Sequence, residues 1–217
     1  IERFNEIIKD YKPDCIVGYF SDGFDFPYIR TRADKYDIKL DLGLDGSSVI
    51  FRRGLGESTA KIKGILHLDI LKFIKRIMSG SLQLDSYSLN SVAQELLHER
   101  KKDVNINDIM KAWDEVKDLE KYCEYNLQDT ELTLKIFKKI LPNISELVKL
   151  VGVSMFDICR MSYGKLVENY LIKRAKEFNE IIPNKPSHRN IEERMGMTYQ
   201  GAFVMEPEPG FYQDVVF

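Results

Sequence analysis

The chain has 217 residues, 44% of them hydrophobic and 30% charged, with a formal net charge of −2. This composition excludes a disordered polypeptide. The near-balanced charge excludes a generally basic nucleic-acid-coating protein but leaves room for a local basic groove. Cys15, Cys123 and Cys159 form no CxxC pair, which fits a reduced cytosolic protein without a structural zinc site. No apolar run is long enough to cross a bilayer and no signal peptide is visible, so no membrane partner is expected.

Ile1, Phe4, Ile7 and Ile8 sit at helical spacing, and Pro13-Asp14 ends that helix. Cys15 to Phe20 reads as a short apolar strand suited to the middle of a mainly parallel sheet. After the polar turn Ser21-Asp22-Gly23, residues Phe24 to Tyr36 read as a helix that tolerates Pro27 in its first turn. Residues 48–53 and 59–69 read as strands around the hairpin tip Gly54–Ser58, and the second run feeds a helix ending near Met78. Ser88–Leu97 and Asn105–Trp113 are further helices. A long helix is expected from Glu115 to Ile140, stopping before Pro142. Three helical segments follow, near 143–151, 154–160 and 161–180. Pro183 to Ser187 is a break, and residues 199–217 read as short β-like runs punctuated by Gly and Pro. The helical opening at Ile1 and the apolar end at Val215-Val216-Phe217 both read as cuts in a longer chain, since natural boundaries favour polar linkers.

Two places could carry chemistry. Asp25 lies where a buried strand hands over to a helix, an edge at which ligands gather in α/β folds. Taken alone it reads first as an acid favoured in the first helical turn by the helix dipole and by capping. In 122-YCEYNLQDTELT-133, Tyr125 and Asp129 lie four residues apart and share a helix face. A carboxylate there can bind a hard metal ion, and a phenol one turn away can hold a water. Taken alone, they read as two ordinary helix-surface residues.

Together these pieces resemble the B-family replicative DNA polymerases, in their archaeal form. Gly18-Tyr19 and 24-FDFPYIRTRA-33 look like that family's second exonuclease motif, and Tyr125 with Asp129 looks like its third. The stretch 199-YQGA-202 resembles its Tyr-x-Gly-Gly/Ala element, and 206-EPEPGFYQDVVF-217 resembles the approach to the first palm strand. The resemblance implies an α/β chain. It would comprise an RNase H-like exonuclease fold lacking its opening strands (1–140), a helical linker region (141–182) and the entry to a polymerase palm (183–217). It implies two Mg²⁺ or Mn²⁺ ions, about 3.5–4 Å apart, that activate a water and stabilise the leaving 3′ oxygen. Asp25 and Asp129 would be metal ligands, and Tyr125 would orient the attacking water. Phe24, Arg52, Arg53, Tyr199 and Gly201 would contact DNA. Implied partners are primer–template DNA, a single-stranded 3′ end and dNTPs, with room for a sliding clamp, in the cytoplasm at the nucleoid.

The chain departs from the family twice. The Asp-x-Glu of the first exonuclease motif is absent, so the two-metal centre is incomplete and the chain alone is expected to be inactive. Phe20 stands where the second motif usually begins with Asn. Phe can neither donate nor accept a side-chain hydrogen bond, so it either removes a contact to DNA or water or simply fills the space. A catalytically attenuated paralogue, with the exonuclease-like domain kept as a scaffold, is the alternative reading. His67 and Asp69, on one strand face, read as a polar strand end ahead of a metal pair, Tyr19 as core ahead of a surface beside the primer end, Trp113 as a core or inter-helix anchor, and Arg100-Lys101-Lys102 as a solvated turn. The hairpin tip, with Arg52, Arg53, Lys61 and Lys63 around it, reads equally as the family's strand-parting hairpin or as an ordinary charged one.

Overall fold

The computed structural model describes residues 1–53, 58–82, 84–100, 106–184, 186–195, 201, 205–206 and 208–213. The chain divides into two compact units, Ile1–Asn179 and Glu180–Phe217.

The first unit opens with helix α1, Glu2–Tyr11, and Lys12 closes it in a left-handed conformation just before Pro13. Strand β1, Cys15–Gly18, is followed by helix α2, Asp25–Lys35. Strands β2, Ile50–Arg53, and β3, Ser58–Lys61, pair antiparallel, with Ile50 opposite Lys61 and Arg53 opposite Ser58. Strand β4, Leu66–Asp69, pairs in parallel with β1, from Cys15 opposite Leu66 to Gly18 opposite Asp69. Strand alternation sends Cys15 and Val17 to one apolar cluster and Ile16 to another, so β1 contributes to both cores.

Helices build one of those cores. Helix α3, Ile70–Phe73, runs into a π-helical turn, Ile74–Met78. Then come α4, Leu89–Leu97, α5, Ile106–Glu115, α6, Leu119–Val151, α7, Met155–Ile158, and α8, Tyr163–Ala175. Phe73, Val92, Ile136, Ile140, Ile144 and Ile158 are fully buried together against Leu68 of β4. Ser88 caps α4 by accepting the Ser91 N–H at 3.1 Å, and Ser154 caps α7 by accepting that of Asp157 at 3.2 Å. The other core gathers Ile8, Phe26, Ala33, Leu42, Ala60 and Ile62 from α1, α2, the segment that follows α2, and the hairpin region.

The structure corrects the sequence expectations at four points. The expected strand 15–20 ends at Gly18, because Phe20 turns left-handed (φ 65°). The expected strand 59–69 is two strands, because the chain turns at Gly64 between Ile62 and Ile65, which bridge each other. Helix α6 does not stop before Pro142 but carries it inside. The missing N–H and ring clash cost about 3 kcal/mol, and continued burial of Ile144 and Val151 beyond the proline offsets that. Trp113 is no anchor: it is 72% exposed on α5.

The second unit contains helix α9, His188–Met195, with the Asn190 N–H bonded to Ser187 Oγ at 3.3 Å. Further along, Tyr212 Oη donates to the Glu208 carbonyl at 2.9 Å. Most of the β-like tail expected over 199–217 lies outside the described residues, as do the hairpin tip 54–57 and most of the basic run 100–102. Among the described residues no helix is long and apolar enough to cross a membrane.

Candidate functional site

The loop between β1 and α2 folds back tightly on its own strand. A Cβ at Gly18 would lie 2.4 Å from the Ser21 side chain, and one at Gly23 would lie 2.2 Å from the Phe20 ring. A larger residue at either position would force the facing side chain to shift. The return delivers Asp25 as the first residue of α2. The N-cap position belongs to Phe24, whose side chain caps nothing, so Asp25 is not the helix cap.

Asp25 opens onto a cavity of about 680 Å³ that runs along β1 and on to Tyr19 just beyond it. Asp129 of α6 lines the same cavity, beside Asn126, Thr130 and Thr133. Two carboxylates remote in sequence therefore line one largely apolar hollow. Desolvation by neighbouring protein atoms pushes the Asp25 carboxyl above its usual range, against the opposing pull of its own backbone N–H. Tyr125, one turn before Asp129, is half-buried and is not among the residues lining the cavity.

The other expected site residues are dispersed. Phe24 is exposed and stacks on Tyr28, with ring centroids 5.9 Å apart. Arg52 is exposed on β2, and the side chain of Arg53 lies outside the description. Tyr199 lies outside the described residues, and Gly201 is exposed in the second unit. Phe20 is half-exposed, with its ring over Gly23 and its N–H bonded to Asp69 Oδ1 at 3.0 Å. Tyr19 is partly buried against the helical core and donates its hydroxyl to the Tyr87 carbonyl at 2.8 Å.

Oxygen donors suit Mg²⁺ or Mn²⁺, and Asp25 with Asp129 fits as part of such a site. Among the described residues, however, no three acidic, His or Cys side chains gather into a complete one.

Behind the loop lies a buried charge cluster that sequence reasoning missed. Asp22 is fully buried and accepts from Lys72 Nζ, Arg160 Nε and Arg160 Nη2, each at 2.9 Å, and from the Ala60 N–H at 2.8 Å. Burial, the largest single influence, would raise its carboxyl, but the Arg160 hydrogen bond and charge together with the Ala60 and Lys72 hydrogen bonds outweigh it, so Asp22 titrates below the usual range. Asp69 accepts the N–H groups of Phe20 and Asp22, one on each oxygen, at 3.0 Å. Burial, its largest influence, pushes Asp69 up. His67 is fully buried, and burial pushes its imidazole below 6.5. Its Nδ1 faces the Ala60 carbonyl at 2.8 Å, so Nδ1 carries the proton and Nε2 accepts from Ser21 Oγ at 2.8 Å. The His67 and Asp69 pair is thus a structural strand end, as its pattern implied.

Residues 1–92 match the family model for the DNA polymerase family B exonuclease domain, and residues 157–217 match the model for DNA polymerase family B. The chain belongs to DNA polymerase family B. Among its curated relatives it is 38% identical over its whole length to "DNA polymerase 1" of Pyrococcus abyssi, 28% of which it spans. It is 39% identical to a Pyrococcus glycovorans DNA polymerase, spanning 27% of it, and 34% identical to that of Thermococcus kodakarensis, spanning 13%. In fold it is similar to the family B DNA polymerase structure from Pyrobaculum calidifontis, with a TM-score of 0.72 at 24% identity, over 96% of this chain and 26% of that one. Asp25 lies in the segment matching the family B exonuclease model, Arg160 lies in the segment matching the polymerase model, and Asp129 falls between the two.

Proposed function

We propose that this chain is the proofreading part, with the link into the palm, of a DNA-directed DNA polymerase that copies DNA from dNTPs and removes mispaired 3′ ends. The observation that carries this reading is the shared cavity of Asp25 and Asp129. In this reading residues 1–140 form most of an RNase H-like exonuclease domain, 141–182 a helical linker region and 183–217 the entry to the palm.

Asp25 and Asp129 would hold divalent metal, which when bound polarises the phosphodiester and lowers the pKa of a water. The chain's own residues do the rest. Tyr125 orients the attacking water from α6. Phe24, exposed and stacked on Tyr28, gives the terminal base a π surface. Arg52, Arg53, Tyr199 and Gly201 complete the DNA contacts, and a clamp is a further partner. The whole protein works on primer–template DNA in the cytoplasm, at the nucleoid. Phe20 alters or weakens proofreading, because it offers a ring where a hydrogen-bonding side chain would hold DNA or water.

The half-buried β1 pairs only with β4 among the described residues, and the cavity runs along it. A further strand of the parent protein, bearing the remaining carboxylates, is proposed to pair there. The chain alone is accordingly inactive. Retention of both carboxylates on one cavity speaks against a purely structural scaffold.

The test is Mg²⁺-dependent shortening of a 5′-labelled single-stranded oligonucleotide by the parent polymerase. Activity that falls at least about 100-fold in Asp129→Ala, with primer extension kept, supports the reading. Unchanged trimming in that variant refutes it, and robust trimming by residues 1–217 alone refutes the proposed incompleteness.

A further inference from the structure

We infer that Arg160 is a positioning residue for the exonuclease centre, acting through Asp22 on the loop that presents Asp25. The inference rests on the function proposed above.

Arg160 follows α7 and reaches across 138 positions of sequence to Asp22. Its guanidinium binds Asp22 Oδ2 through Nε and Nη2, both at 2.9 Å, in a side-on fork that lysine cannot reproduce. Nη1 donates to the carbonyls of Phe156 at 2.9 Å and His67 at 3.2 Å, and the guanidinium carbon lies 3.8 Å above the Phe156 ring. The Arg160 carbonyl in turn accepts from Arg76. The group is therefore fixed on every side, with a side chain only 9% exposed.

What it holds is the short run before the catalytic carboxylate. Phe20 and Asp22 are pinned through their N–H groups to Asp69, Ser21 through its hydroxyl to His67, and the Asp22 carboxylate to Ala60, Lys72 and Arg160. The Ser21 carbonyl then accepts the Phe26 N–H at 3.0 Å, inside the first turn of α2. Asp25 sits between these fixed points. Within the cluster two carboxylates, Asp22 and Asp69, face two cations, Lys72 and Arg160. Removing Arg160 leaves Asp22 buried with one cation fewer, and the loop must shift or take in water. Arg160 belongs to the segment matching the polymerase family model, whereas Asp22 and Asp25 belong to the exonuclease segment. One guanidinium thus ties the two segments together directly behind the metal-binding carboxylate.

The experiment uses the parent polymerase with Arg160→Met, Arg160→Lys and the double variant Asp22→Asn/Arg160→Met. Single-turnover trimming of single-stranded DNA is titrated with Mg²⁺, alongside primer extension and thermal melting. Arg160→Met is expected to lower the saturated trimming rate about 10- to 100-fold and to raise the half-saturating Mg²⁺ concentration, with extension unchanged. Arg160→Lys should recover part of the rate. The double variant, which removes both partners, should melt closer to wild type than Arg160→Met yet still trim slowly. Trimming and Mg²⁺ dependence like wild type in Arg160→Met would overturn the inference alone. So would a rate loss that follows melting temperature and affects extension equally. A wild-type parent with no metal-dependent trimming would overturn the underlying reading instead.

Discussion

Phe20 offers a direct test of the loop that carries Asp25. Its φ of 65° places a bulky L-residue in the left-handed region, at a cost of roughly 1–2 kcal/mol. Replacing it with alanine or glycine removes the same half-exposed ring, so that loss cancels between the two variants. At an ordinary position alanine is better by about 0.5–1 kcal/mol, because glycine has more unfolded-state freedom to lose. Here the backbone reverses the order, because glycine is spared the left-handed cost. The net expectation is that Phe20→Gly is more stable than Phe20→Ala by about 0.5–1 kcal/mol. With an m-value of ~2 kcal/mol/M, the urea midpoints of the two chains should differ by about 0.25–0.5 M. The assay is urea unfolding followed by far-UV circular dichroism. An alanine variant as stable as the glycine variant, or more so, would refute the left-handed Phe20. The Phe20 N–H bond to Asp69 would fall with it, and so would the described presentation of Asp25.

His67 predicts a pH dependence. Burial depresses its pKa below 6.5, so below that pH the unfolded chain takes up a proton that the folded chain refuses. Stability is therefore fully present above 6.5 and lost as pH falls towards the folded-state value, by at most about 1.4 kcal/mol per pH unit. Urea midpoints at pH 7.5 and 5.5 should differ less in His67→Gln than in wild type, and equal differences would count against a neutral buried imidazole. In the helical core, Ile136→Ala should cost about 2–5 kcal/mol, since Ile136 is fully buried. Trp113→Ala should stay within about 0.5 kcal/mol of wild type in the same denaturation series, and a loss as large as that at Ile136 would contradict the exposed tryptophan.

Much of the fold is legible in local pattern. The spacing of Leu89, Val92, Ala93 and Leu96 marks α4, and Ser88 marks its start, because amphipathic period and capping chemistry are local properties. Asp25 and Asp129 are identifiable as a pair only through the family's motifs, since neither position alone outweighs an ordinary helical role. The passage of α6 through Pro142 is not legible, because what sustains the helix is distant packing of Ile144 and Val151. The break between β3 and β4 is hidden because a tight turn interrupts an apolar run. The Asp22 cluster is the least legible of all. Asp22 reads as a turn residue and Arg160 as an unremarkable basic residue beside Cys159. Only folding brings them to 2.9 Å. Two signals are present in the sequence: an acid inside a loop bounded by Gly18 and Gly23, and an arginine directly after an apolar pair, Ile158-Cys159.

The central claim is that Asp25 and Asp129 belong to one metal-binding site. Crystals of the parent polymerase soaked in Mn²⁺, with diffraction recorded near the manganese absorption edge, test it most directly. The account predicts an anomalous peak within about 2.0–2.5 Å of carboxylate oxygens of both residues, weakened or lost in Asp129→Ala. Manganese bound elsewhere in the exonuclease domain, with neither carboxylate coordinating it, would contradict the account.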